Sequence, residues 1–390
     1  MGRFLLPLLL TAAAVFSHEV LPKSSTKIDK NTVLVLWGTR HGNRHPEKFL
    51  EENPRTWGFE GNTELTSWGK KQAYGVGREL RSFVGKLVDS NYNTSQVKYY
   101  SSSANRCQMT LQAAVAGFHE PTDYADWEHE KHEYWSPVPY TIDDKLLRMY
   151  ALSDEECPNN AKVWDPVSKD TLPALAKKAK EEKEFIKYLA EKTGWDFKHL
   201  GVVADLADNL IEIDLYKAKY PEWISKPKLK GYTGDKMKKK ILEFAEIHQI
   251  GCAEYDPCGK LMSGVWLSHI LKSLENAQMG KGPQVIGYAS HTEVTLSAMK
   301  QMGYKKDELT TSAGFVIEFR LKPSPSLRLL NHDPNPIEKH VIYKADLVPK
   351  LAGRADKDGF VPLGDFIDFV KPKAITDWKK ACGLSDKCKN

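Results

Sequence analysis

Apolar and polar positions follow two different periods along the chain. Asn31 to Trp37 (NTVLVLW) is a short, β-branched apolar run closed by Gly38, a pattern that suits a buried strand better than a helix. From Thr66 to Val88, Tyr74, Val76, Leu80, Phe83, Val84 and Leu87 recur at helical spacing among lysines and arginines, which predicts an amphipathic helix. Gln96 to Tyr100 alternates as a second strand, followed by a serine-rich turn and a helical stretch from Ala104 to Phe118. Leu261 to Gln278 predicts another helix, and Gln284 to Ala289 another buried strand that runs directly into SHTEVTLSAMKQMG, a loop entering a helix. Further strands are predicted around Ala313 to Leu321, Ser326 to Asn331 and Lys339 to Lys344. There is no internal repeat.

Between Glu120 and Pro257 the texture changes to an aromatic, proline-rich loop followed by lysine-glutamate tracts such as LAKKAKEEKEFIKYLAEK, read as solvated helix faces. The alternation of strands and helices predicts an α/β core with helices on both faces of the sheet. Residues 18–119 and 258–390 form this core, and residues 120–257 a mainly helical insert closing over the sheet edge where the loops gather.

Composition fits a globular protein: 390 residues, 41% hydrophobic, enough for a sizeable core. A net charge of +5 over this length is mild and argues against nucleic acid as a partner. Arg3 and the apolar stretch Phe4 to Phe16 read as a secretory signal peptide over residues 1–17. No later segment offers about twenty consecutive apolar residues, so a secreted, extracellular protein without a membrane anchor is expected. The six cysteines, Cys107, Cys157, Cys252, Cys258, Cys382 and Cys388, then read as three disulfides. Cys252 and Cys258 flank a short turn and would pair with each other, while Cys382 and Cys388 would tie the C-terminus back to Cys107 and Cys157. No C-x-x-C spacing or histidine cluster suggests a metal, and nothing calls for a cofactor. Asn93-Thr94-Ser95 is a glycosylation acceptor.

The candidate chemistry sits in TRHGNRHPEK, residues 39–48, in the loop leaving the first strand. Arg40 and Arg44 flank His41, and guanidinium forks match phosphate or sulfate oxygens without losing charge. The same cations depress the pKa of His41 and keep it neutral and nucleophilic. Gly42 lets the backbone approach a ligand, Pro46 stiffens the loop, and His45 is a supporting residue.

The longer pattern R-H-G-x-R-x-P after a buried strand resembles the histidine acid phosphatase family (branch 2). The match extends to Leu65-Thr66 with Gly69 and Gln72, to the Ser101–Ala116 stretch around Arg106, and to Gly287–Leu296 around His291. This resemblance implies the phosphoglycerate-mutase-like fold, a phosphoryl-accepting His41, and an anion cage of Arg40, Arg44, Arg106 and His291. Donors fixed before reaction are what developing anionic charge requires.

The distal segment departs from the pattern. The family reads His-Asp there, the aspartate protonating the leaving oxygen, whereas this chain reads His291-Thr292-Glu293. Threonine cannot act as that acid, and general acid help is worth about 10² to 10⁴ in rate. Asn105 likewise replaces a commonly acidic residue. Glu293 resembles the acid of the related inositol-phosphate branch, whose motif is His-Ala-Glu.

Two functions follow. One is a secreted, catalytically impaired relative that binds small molecules, as its similarity to the salivary acid phosphatase-like proteins of fleas implies. Those proteins are associated with sequestering biogenic amines (serotonin, catecholamines) and leukotrienes during blood feeding. The alternative is an active extracellular acid phosphomonoesterase with His41 as nucleophile and Glu293 as proton donor. An arginine cage accepts carboxylates but is a poor amine site unless Glu293 serves it. The aromatic insert, with Trp127, Tyr134, Trp135, Tyr140, Tyr150 and Trp164 near Asp143, Asp144 and Glu155, suits an amine better than the cage does and is the expected amine pocket.

Overall fold

A computed structural model of the chain describes residues 27–51, 60–122 and 135–384. The expected leader, Trp127, Tyr134 and Cys388 lie outside these. Eight strands form one mixed sheet: β1 (Thr32–Arg40), β2 (Val97–Ser101), β3 (Thr141–Ile142), β4 (Val285–Ser290), β5 (Gly314–Arg320), β6 (Ser326–Pro334), β7 (His340–Lys344) and β8 (Phe360–Pro362). Their order is β3-β2-β4-β1-β5-β6-β7, with β8 also paired to β6. β3, β2, β4 and β1 run parallel, and β5 to β8 continue antiparallel.

Period-2 alternation of β1 explains the layers. Val35 and Trp37 turn to one face, packed under α1 (Ser67–Val84) and α2 (Asn105–Phe118). Leu34 and Leu36 turn to the other, shared with α11 (Asp256–Gln278) and α12 (Thr292–Gln301) once the chain has returned. Both faces are covered, which is why the strand reads as continuously apolar. α1 and α2 touch backbone to backbone: a Cβ on Gly77 would stand 1.8 Å from Ala114 O.

Between β3 and α11 the chain is helical: α3 (Asp144–Leu147), α4 (Asn159–Ser168), α5 (Pro173–Glu181), α6 (Lys183–Thr193), α7 (Gly201–Leu215), α8 (Glu222–Ser225), α9 (Gly234–Leu242) and α10 (Ile247–Glu254). Their apolar faces meet in a second cluster around Leu206, Leu210 and Phe244. α11 joins the two cores, giving Trp266 and Ile270 to the sheet and Leu261 and Met262 to the helices. The anticipated boundary at 257/258 therefore falls in the first turn of a continuous helix. The C-terminal part adds α13 (Pro349–Ala352), α14 (Leu363–Val370) and α15 (Trp378–Cys382).

The disulfide expectation needs one correction. Cys252 pairs with Cys258 and Cys157 with Cys382, which fastens α15 beside α4. Cys107 is a buried free thiol. It occupies the first turn of α2 beneath the loop after β4, where Sγ donates to Ser290 O at 3.3 Å. Burial pushes the thiol up to about 12, so it stays protonated.

Candidate active site

Three adjacent parallel strands end at the same place. β1 delivers Arg40 and His41, β2 delivers Ser102, and β4 delivers His291, with His41 N donating to Ser290 O at 2.9 Å. Ligand sites of open α/β sheets form at such carboxyl ends.

The loop after β1 is held by α1. Asn43 N donates to Gln72 Oε1 at 2.8 Å, Thr66 N to Asn43 O at 3.0 Å, and Thr66 Oγ1 to Asn43 Oδ1 at 2.7 Å. A Cβ on Gly42 would stand 2.5 Å from Gly69 O. Gly42 is thus required by the close approach of α1, a different reason from the ligand approach its sequence suggests. Leu65-Thr66, Gly69 and Gln72 are the loop's clamp.

His41 and His291 face each other edge to plane, ring centroids 5.5 Å apart. His41 Nδ1 lies 2.9 Å from Gly42 O; since a carbonyl only accepts, Nδ1 carries the proton and Nε2 keeps its lone pair. Burial, then Arg106, Arg40, His291 and Arg44, hold His41 well below the usual histidine range, hence neutral. Arg106 Nη2 donates to His291 Nδ1 at 3.3 Å, so Nε2–H of His291 faces Ser102 Oγ at 2.9 Å. Burial with Arg106 and Arg148 keeps His291 neutral as well. Arg40 Nε and Arg106 Nε are buried without a hydrogen-bond partner among the described residues.

The cage is not purely cationic. Arg40 pairs with Glu246, and Arg44 Nη2 lies 2.9 Å from Asp208 Oδ2. Glu246 adopts φ +59, a left-handed conformation that costs a non-glycine residue of order 1 kcal/mol and persists where contacts over-determine it. Burial raises Asp208 although Arg44 opposes it, and burial with Asp208 pushes Asp205, one turn earlier on α7, up to about 7. An open cleft lies between this helical segment and the loop after α12, lined by Arg40, Arg44, Asp208, Glu246, Leu242 and Leu309.

Glu293, in the first turn of α12, is 6% exposed. Burial dominates its environment and Glu246 adds repulsion, while a hydrogen bond from its own backbone amide, with Arg106 and Arg40, counters only in part, leaving its pKa at about 7. Thr292 beside it is 2% exposed and carries no titratable group.

The structure brings Arg40, His41, Arg44, Arg106, His291 and Glu293 together. His45 stands apart, between Glu60 at 3.0 Å and Glu212. Among the described residues of the aromatic set, Tyr150 reaches the cage, its ring 5.3 Å from His291 and stacked at 6.3 Å on Trp164. Tyr140 bonds Gln108, Asp143 caps α3, Asp144 accepts Ser103 N, and Glu155 is exposed. Asn93 turns back on Ser95 just before β2, half-buried. Sequence reasoning missed Arg148, Asp208 and Glu246. Asp208 is one of several acids along α7, Arg148 closes α3 and Glu246 lies in the turn before α10, and none stands in a motif.

Comparison with known proteins agrees with this architecture. The family model described as the histidine phosphatase superfamily (branch 2) matches residues 25–299. The chain is 25% identical to prostatic acid phosphatase of Mus musculus over 271 residues, 67% of each chain. It is 23% identical to lysosomal acid phosphatase of Rattus norvegicus over 357 residues, 89% of this chain and 79% of that one. Hafnia alvei phytase in complex with myo-inositol hexakis sulphate shares the fold with a TM-score of 0.61 at 13% identity, over 90% of this chain and 98% of that one. No described helix is long and apolar enough to cross a membrane. The chain belongs to branch 2 of the histidine phosphatase superfamily.

Proposed function

We propose that this acid phosphatase-like protein is secreted and binds small molecules in its cage with little phosphoryl transfer. Protonated biogenic amines such as serotonin are its main ligands and leukotriene carboxylates a second class, so that it sequesters host mediators during blood feeding. One observation carries the reading: Arg40 and Arg44 are engaged by Glu246 and Asp208, while Thr292 stands at the place of the family's acid. A phosphate dianion would meet two carboxylates beside the arginines it needs. A like charge at about 4 Å costs roughly 1 to 4 kcal/mol at a partly wet site. An ammonium group instead finds Glu246, Asp208 and Glu293, with the face of Tyr150 and a neutral His41 alongside. Leukotriene carboxylates would use Arg106, whose Nε has no partner among the described residues.

A second reading rests on Glu293. Half of these carboxyls are protonated near neutrality, and His41 Nε2 is free to attack. In that case Nε2 bonds to phosphorus as the ester P–O bond breaks and Glu293 gives its proton to the leaving oxygen. Water then attacks the phosphohistidine, yielding its proton to Glu293 and releasing phosphate.

Turnover of an aryl and an alkyl phosphate at pH 5 separates the two. The binding reading predicts no hydrolysis of the alkyl ester and at most slow hydrolysis of the aryl ester, whose leaving group needs little protonation. Brisk hydrolysis of both esters, abolished by Glu293→Gln, overturns it.

A further inference from the structure

The charge of this chain is concentrated in one place. Residues 217–240 carry nine lysines against Glu222 and Asp235, a net +7, whereas the whole chain carries +5. The remaining residues are therefore net acidic by two. This differs in kind from the lysine-glutamate tract of α5 and α6, where lysines alternate with glutamates and form a solvated mixed surface.

The structure keeps these lysines outward. Lys217, Lys219, Lys226, Lys228, Lys230, Lys236 and Lys239 are exposed. Among the described residues only Lys226 and Lys240 meet a carboxylate, Lys226 loosely at 3.8 Å from Glu222 on the surface and Lys240 with Glu182 and Glu243. Between α8 and α9 the burial alternates: Pro227 and Leu229 are half-buried, with Leu229 packed on the helical cluster, and the three lysines around them face solvent. Alternate residues of a non-helical segment stand at most about 7 Å apart, so Lys226, Lys228 and Lys230 form a row of closely spaced ammonium groups. α9 extends the row with Lys236 and Lys239.

We infer that the face formed by residues 217–240 is a docking surface for a linear sulfated polysaccharide. A row of exposed, flexible point charges suits a chain that carries a sulfate on each successive sugar. Single-stranded nucleic acid requires aromatic platforms, and those nearby are occupied: Tyr232 stacks on Phe185 at 5.6 Å and Lys238 covers Tyr220 at 3.9 Å. A membrane surface requires apolar anchors beside the lysines. The exposed large hydrophobics of the described residues, Tyr74, Trp135, Ile142 and Met279, all lie elsewhere in the chain. The inference does not depend on what the cage binds.

The test uses the full chain and a heparin fragment in a surface binding assay at physiological salt, with the desulfated fragment and phosphatidylserine-containing vesicles as comparisons. Lys226→Gln/Lys228→Gln/Lys230→Gln should weaken heparin binding by about a hundredfold, near fivefold per lysine at an anionic surface. The same substitutions at Lys177, Lys180 and Lys183 should leave it unchanged, and the desulfated fragment should not bind. An unaltered melting temperature confirms that each triple variant is folded. Equal loss in both triple variants, no heparin binding by the unmodified protein, or tighter binding to the vesicles would each overturn the proposal.

Discussion

Glu293 is the residue on which both functional readings turn, and its environment makes a prediction that neither needs. Its folded pKa of about 7 lies above the ordinary carboxyl value of 4.5, so its contribution to stability is fully present below pH 4.5 and is lost as pH rises through 7. Glu293→Gln should therefore be more stable than the unmodified chain at pH 8, by on the order of 3 kcal/mol, and so melt at a higher temperature, while the two melt equally at pH 4. A thermal melt at the two pH values checks this; a variant that is less stable at pH 8 would show that the carboxylate is well solvated or paired. At this scale the sequence was half legible. Arg40, His41 and Arg44 are contiguous, and their types alone specify an anion site. Asp208, on α7, and Glu246, in the turn before α10, come more than 160 residues later, where one acid among many carries no mark of the cage it enters. Cys107 looked like half of a disulfide because counting cysteines gives no depth, and only the packing of α2 against β4 sets its sulfur against Ser290 and His291.

Among elements, the one most dependent on charge is the contact between the loop after β1 and α7. His45 is 1% exposed and Glu212 is 0% exposed, and the pair links the two, with Glu60 on the outer side. Burial opposes the charge on His45, but Glu212 and Glu60 outweigh it and hold the pKa above 6.5. Its stabilisation is accordingly complete below pH 6.5 and disappears as pH rises through that raised value. His45→Gln leaves Glu212 buried without its cation, and removing one partner of a buried pair costs about 3 to 5 kcal/mol. Denaturant unfolding at pH 5 should show that loss, shrinking towards alkaline pH; a constant difference across pH would contradict a charged His45. The period of the apolar residues predicted β1, β4, α1 and α2 well, because each buries one or two faces against the sheet. It gave less in the helical segment, where lysine and glutamate dominate and the helices share a core only once α7, α9 and α11 meet.

At the scale of the whole molecule, the sheet and the helical cluster contribute opposite charges to one cleft. The end of β1 and the loop after it bring Arg40 and Arg44; α7 and the turn before α10 bring Asp208 and Glu246 across from them. That meeting of layers was not readable from sequence, and it is what turns an anion cage into a site with a carboxylate side. The fold itself was readable, since strand and helix periods alternate over the chain and three separate motifs fall at one sheet edge. Calorimetric titration of serotonin into the unmodified chain and into Glu246→Gln tests the central claim most directly. The account predicts saturable binding of the amine and a loss of about ten- to a hundredfold in affinity on removing that one charge. No detectable binding of the amine by the unmodified chain, or equal affinity in both proteins, would contradict it.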